Sequence, residues 1–216
     1  MAKFNYKKSV GISLLCLFGA YTMSSLVNKA SELFGFGNET FSIIVWMLAN
    51  TISCVSTAYV ATNKEIELNI VGKVGAYALS IIFASYLINN IIHISSDYSI
   101  FSFMGSYTSL ILESLTLITL ALYLFNLRTW LAIKITGVIA SIPSIVSATI
   151  IPKLGAAWEE YQETDNYDKY DSLISILNSC STIYLLLMVV ALILTIIWFF
   201  KPVAAPSVKN NPIDLI

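Results

Sequence analysis

Apolar residues fall into six long runs, at approximately residues 10–27, 41–62, 74–94, 100–126, 130–151 and 173–200. Bilayer hydrocarbon is about 30 Å thick, so an α-helix needs about 20 mostly apolar residues to cross it. The runs meet that length, lack the period-two alternation of strands and are far too long for buried strands, which excludes a β-barrel. The expected fold is all-α: a polytopic transmembrane helix bundle of six spans, forming one membrane domain over residues 1–216.

Composition supports this. The chain is 57% hydrophobic and 12% charged, with a mean hydropathy of +0.77. An ordinary soluble domain carries about 25% charged residues, and a soluble fold of this size could not hide so much apolar surface. Lipid bilayer is the expected solvent.

The basic residues give an orientation. If the N-terminus is inside, the inner segments hold Lys3, Lys7, Lys8, Lys64, Lys73, Arg128, Lys134, Lys201 and Lys209, and the outer ones only Lys29, Lys153 and Lys169. Cytoplasmic loops of membrane proteins carry such an excess, so both termini are expected in the cytoplasm, with the chain in the cell membrane. The first run resembles a secretory leader, but it has no small-x-small cleavage site, and Leu15 rather than a small residue precedes Cys16. It is therefore read as a retained span.

Several function classes drop out. A net charge of −1 gives no field to attract nucleic acid, and a single arginine, Arg128, gives no forked phosphate clamp. The scattered Cys16, Cys54 and Cys180 form no disulfide framework and read as small packing residues. With one histidine, His93, neither a bis-His haem nor a zinc site is expected, and no cofactor or metal is predicted. No nucleophile–base pair is visible, so an enzyme is not the expected reading.

Small residues recur every four positions at Ala49, Ser53, Thr57 and Ala61, at Gly72, Ala76, Ser80 and Ala84, and at Ala140, Ser144 and Ala148. Such stripes let helix backbones approach closely, either within the bundle or across a homo-oligomer seam. Pro143 should kink the fifth span, and Pro152 should close it. Residues 153–172 form an acidic, aromatic outer loop, in which Ala156 to Tyr161 could be a short interfacial helix and Asp171 or Ser172 would cap the last span.

One charge stands deep in an apolar run. Glu113 lies near the middle of the fourth, where a carboxylate must be protonated, paired or facing water. Ser102, Ser106, Ser109, Glu113 and Thr116 are spaced 4, 3, 4 and 3, which keeps them within about 40° of one line on a helix. The third span carries a similar lane of Tyr86, Asn90, His93 and Asp97, and the sixth carries Ser175, Asn178, Ser179 and Thr182. A tight hairpin between spans three and four would level Tyr86 with Ser109, Asn90 with Ser106 and His93 with Ser102. Asn50 on the second span is at the right depth to hydrogen-bond Glu113.

These residues suggest an outward-facing polar vestibule ending at Glu113, lined by Asn50, Tyr86, Asn90, His93, Ser102, Ser106, Ser109 and Asn178. The expected function is a small transporter, permease subunit or channel for a cation, a proton or a small polar solute. The alternative is a non-catalytic membrane scaffold or accessory subunit that binds a membrane protein partner, with Glu113 a buried hydrogen-bonding group.

Overall fold

The computed structural model describes residues 2–35, 39–64, 66–96, 108–164 and 167–202, and all regular structure among them is helical. The helices are α1 (Ala2–Phe34), α2 (Glu39–Thr62), α3 (Ile70–Ser96), α4 (Thr108–Phe125), α5 (Leu131–Ile139), α6 (Ile142–Thr164) and α7 (Asp168–Phe200). They make six stretches long and apolar enough to cross a bilayer, with α5 and α6 together forming the fifth. The six-run reading therefore holds, and such helices are compatible with an integral multi-pass membrane protein.

The surface is far more apolar than that of a soluble domain, and the interior holds polar groups beside its apolar core. Val55, Ile81, Ile111 and Leu186 stand on its surface, whereas Ser13, Asn50, Ser53, Thr57 and Thr195 are buried. Many buried hydroxyls are satisfied by their own helix. Thr57 donates to the Ser53 carbonyl, Thr119 to Leu115 and Thr195 to Ala191, at 2.7–2.8 Å. A hydroxyl that bonds one turn back removes its own desolvation cost and needs no partner helix.

The helices pack as a ring in chain order. α1 lies on α2, α2 on α3, α3 on α4, α4 on α5 and α6, both of these on α7, and α7 back on α1. Two of the three small-residue stripes lie in these seams. Ala49, Ser53, Thr57 and Ala61 are all buried, and Ser80 donates to the Cys54 carbonyl at 3.1 Å to join α3 to α2. These two stripes thus serve packing within the bundle. At Gly75 a Cβ would lie 2.7 Å from the Tyr123 amide nitrogen, so only glycine permits this α3–α4 contact.

One end of the ring gathers the first turns of α1, the α4–α5 connection and the last turn of α7. The Arg128 amide donates to the Tyr6 hydroxyl at 2.6 Å, the Arg128 guanidinium pairs with Glu67 at 3.2 Å, and the Lys7 ammonium donates to the Lys201 carbonyl. Lys7 also lies over Trp198 and Lys201 over Trp130, at 5.6 and 5.2 Å from the ring centres. Lys7, Arg128 and Lys201, which the sequence assigned to one side, thus lie together at this end. The Arg128–Glu67 pair is well exposed, so Arg128→Ala should lower stability by less than about 1 kcal/mol in thermal unfolding.

Two segments differ from the sequence reading. The kink of the fifth span is a full break, with Ala140 and Ser141 as turn residues between α5 and α6. Pro143 has no N–H for the Ile139 carbonyl, and its ring crowds that same carbonyl. The Ser141 amide turns back to Val138 in a tighter bond at 3.1 Å. Further on, Pro152 does not close the helix: α6 continues through it to Thr164. The Pro152 ring must clear the carbonyl of Ala148, a small, buried residue. Residues 153–164 therefore continue α6 and residues 168–172 belong to α7, where the sequence reading had a loop. α7 begins at Asp168, with Asp168 and Asp171 in its first turn and no side-chain cap. Those carboxylates suit the positive end of a helix.

Candidate functional site

The ring encloses a cavity of about 610 Å³ to which every one of the six stretches contributes. Lys29 on α1, Ser42 on α2 and Ile151 on α6 line its upper part, at the end of the bundle opposite the termini. Leu17, Leu120 and Met188 line its lower part, about halfway along α1, α4 and α7. Beneath them Leu14, Tyr123, Leu124 and Ile133 are fully buried and fill the terminal half. The arrangement is a vestibule with a packed floor.

Glu113 lies on its wall. The residue is twelve positions from the end of α4 at Phe125, or about 18 Å along the axis at 1.5 Å per residue. Its Oε1 accepts a hydrogen bond from the Tyr86 hydroxyl at 3.0 Å. It has no ion pair among the described residues. Tyr21 and Tyr184 line the same space, within electrostatic reach of that carboxylate. A polar, cavity-facing carboxylate surrounded by phenols can hold a proton or a cation without a fixed counter-charge.

Of the nine candidate residues, Glu113, Asn50, Tyr86, Asn90 and Ser109 line the cavity. Ser102 and Ser106 lie outside the described residues, as does the His93 side chain. Asn178 is exposed on α7 and does not line the cavity. Its lane is turned outward and satisfied locally: Ser179 donates to the Ser175 carbonyl and Thr182 to that of Asn178, both at 2.9 Å. α7 instead presents Cys180, Ser181, Tyr184 and Met188.

The expected Asn50–Glu113 hydrogen bond is not formed. Asn50 accepts from the Tyr21 hydroxyl at 2.8 Å and donates to the Trp46 carbonyl at 2.9 Å. The α3–α4 register also differs by one helical turn. Tyr86 meets Glu113 rather than Ser109, and the same register sets Gly75 against Tyr123 and Gly72 against Asn126.

Sequence reasoning missed Tyr21, Trp46 and Tyr184, and the wall of Ser141, Pro143, Ser144 and Ser147 at the helix break. A signal was present. Tyrosine favours membrane interfaces, so Tyr21 and Tyr184 in the middle of apolar runs were unusual placements. The break matters chemically as well. A discontinuous helix leaves backbone carbonyls without helical partners, and such backbone persists within a membrane only beside protein or a wet cavity.

Hydrogen bonding to Glu113 makes a quantitative expectation. Tyr86→Phe removes the one donor to the carboxylate and should lower thermal stability by about 1 kcal/mol. Tyr184→Phe, which deletes a hydroxyl with no described hydrogen bond to Glu113, should cost less in the same measurement.

The sequence pattern of a family of unknown function (DUF5362) matches residues 127–202, the part comprising α5, α6 and α7. No curated protein and no solved structure matches the chain.

Proposed function

We propose that the protein is an integral membrane transporter or channel subunit that carries a cation, a proton or a small polar solute through a site at Glu113. In this reading both termini are cytoplasmic, following the basic residues at the terminal end, and the cavity opens outward. The protein resides in the cell membrane. One observation carries the proposal: Glu113, the single carboxylate of the fourth apolar run, lines the cavity from the edge of the α3–α4 seam, where Tyr86 donates to it. The broken fifth stretch beside it adds support, because discontinuous helices commonly build transport sites. The packed floor corresponds to a state closed toward the cytoplasm.

The test is charge movement by the purified chain reconstituted into liposomes on a solid support. Gradients of protons, monovalent cations and small amines are applied in turn. At least one should drive a current that Glu113→Gln removes. No current with any of them, from protein that unfolds cooperatively, would overturn the proposal.

A second reading has its own observation. The α6–α7 hairpin carries Trp158, Tyr161, Tyr167 and Tyr170 in contact, with ring centres 4.0–5.9 Å apart, beside exposed Glu159 and Glu160. Such a surface suits a membrane protein partner. In that case the chain is an accessory subunit, and replacing Trp158 should release the partner without affecting Glu113.

A further inference from the structure

The cavity has more aromatic wall than a site for a bare ion requires. Tyr21 on α1 stands against Trp46 on α2 and Phe83 on α3, with ring centres 5.7 and 5.8 Å apart. The planes are tilted by 52° and 47°, so the three rings do not stack flat but meet at angles. All three line the cavity, and so do Tyr86 and Tyr184 near Glu113. The rings come from four different elements. They converge on the cavity because the ring of helices closes in chain order.

Volume separates the candidate solutes. The space of about 610 Å³ falls in the range of about 300–1,000 Å³ typical of small-molecule sites. A proton or a dehydrated metal ion needs far less, and would be better held by several oxygens close together. Among the described residues no cluster of three metal-ligating side chains exists. A neutral solute could offer Glu113 a hydrogen bond but would gain nothing from its charge. An anion would be repelled by it.

The geometry points to a small organic ammonium ion as the solute, its charged head between Glu113 and the faces of Tyr21, Trp46 and Phe83. This rests on the transport reading of the same cavity. Aromatic faces attract alkylated ammonium groups through the ring quadrupole, most strongly where water is excluded. A carboxylate alone would not distinguish such an ion from sodium. Rings alone would not distinguish it from its uncharged hydrocarbon analogue. Lys29, the one basic residue in the lining, lies eight residues beyond Tyr21 on α1, or about 12 Å farther along the axis. Coulomb attraction at contact outweighs repulsion over that distance.

The experiment is calorimetric titration of the full chain in phosphatidylcholine nanodiscs with choline, with 3,3-dimethylbutanol as its uncharged isostere, and with sodium. Choline is expected to bind saturably, and the isostere and sodium are not. Glu113→Gln and Phe83→Leu should each weaken choline roughly tenfold or more, while Phe83→Tyr, which keeps the ring, should retain it. Thermal unfolding of each variant confirms that it is folded. Equal binding of choline and the isostere would overturn the assignment, as would unchanged affinity in folded Phe83→Leu. If choline fails to bind while a proton or sodium gradient still drives a Glu113-dependent current, the solute class falls and the transport reading stands. If choline binds and no current follows any gradient, the transport reading falls.

Discussion

Glu113→Gln is expected to abolish charge movement through the reconstituted protein while leaving its thermal unfolding within about 1 kcal/mol of the parent. Glutamine has nearly the shape of glutamate, and its side-chain oxygen can still accept the hydrogen bond that Tyr86 makes at 3.0 Å. What disappears is the negative charge and the capacity to exchange a proton. With no ion pair on Glu113 among the described residues, the change strands no buried cation. A purely structural carboxyl group would tolerate this substitution, since an amide serves as well in a hydrogen bond. Retained current would therefore assign Glu113 to packing. A current that falls by about a hundredfold in folded protein requires the charge itself, because a change of that size corresponds to about 2.7 kcal/mol.

Gly75→Val is expected to be the most damaging single substitution for the fold. A first side-chain carbon there would lie 2.7 Å from the Tyr123 nitrogen and 3.0 Å from the Leu122 carbonyl carbon, both backbone atoms, and 2.9 Å from Leu122 Cβ. No rotamer change relieves a clash with backbone, so α3 and α4 must separate. Overpacking of this kind costs about 1–3 kcal/mol, and the branched side chain places the expected loss at the upper end. The damage should also reach the cavity, because the α3–α4 seam that holds Gly75 also holds Tyr86 against Glu113. Gly155→Ala is the matching control. Nothing lies within 4 Å of the added carbon, and alanine in an exposed helix should gain about 0.5–1 kcal/mol. Thermal unfolding in one detergent compares the two directly. A mild effect at Gly75 would mean that the helices are farther apart than their geometry indicates.

Much of the fold was legible because lipid imposes a simple length rule. Among the described residues five of the runs each hold one long helix and the fifth holds two, and the four-residue spacing of small residues marked real seams at Ala49–Ala61 and around Gly72–Ser80. Less legible was anything decided by one backbone group. Pro143 announced an interruption, but the break falls at residues 140–141 because the proline disturbs the carbonyl four residues behind it. Pro152 announced an end to the span, yet α6 runs through it to Thr164. At the site, helical periodicity grouped Ser109, Glu113 and Thr116 correctly on one face. It could not choose the face of α7, where Ser175, Asn178 and Thr182 lie just off the wall that Ser181 and Tyr184 form. One helix carries serines in several directions, and only contact with α1 and α6 selects which of them turn inward.

On the transport reading, Glu113 faces a water-filled vestibule open at the end opposite the termini. Glu113→Cys, in a chain with Cys16, Cys54 and Cys180 replaced by alanine, tests it most directly when reacted in sealed liposomes of known orientation with a charged, membrane-impermeant thiosulfonate. Rapid modification from the side away from the termini, and none from the terminal side, is the predicted result. Modification from neither side, with reaction only by an uncharged reagent that dissolves in lipid, would contradict it.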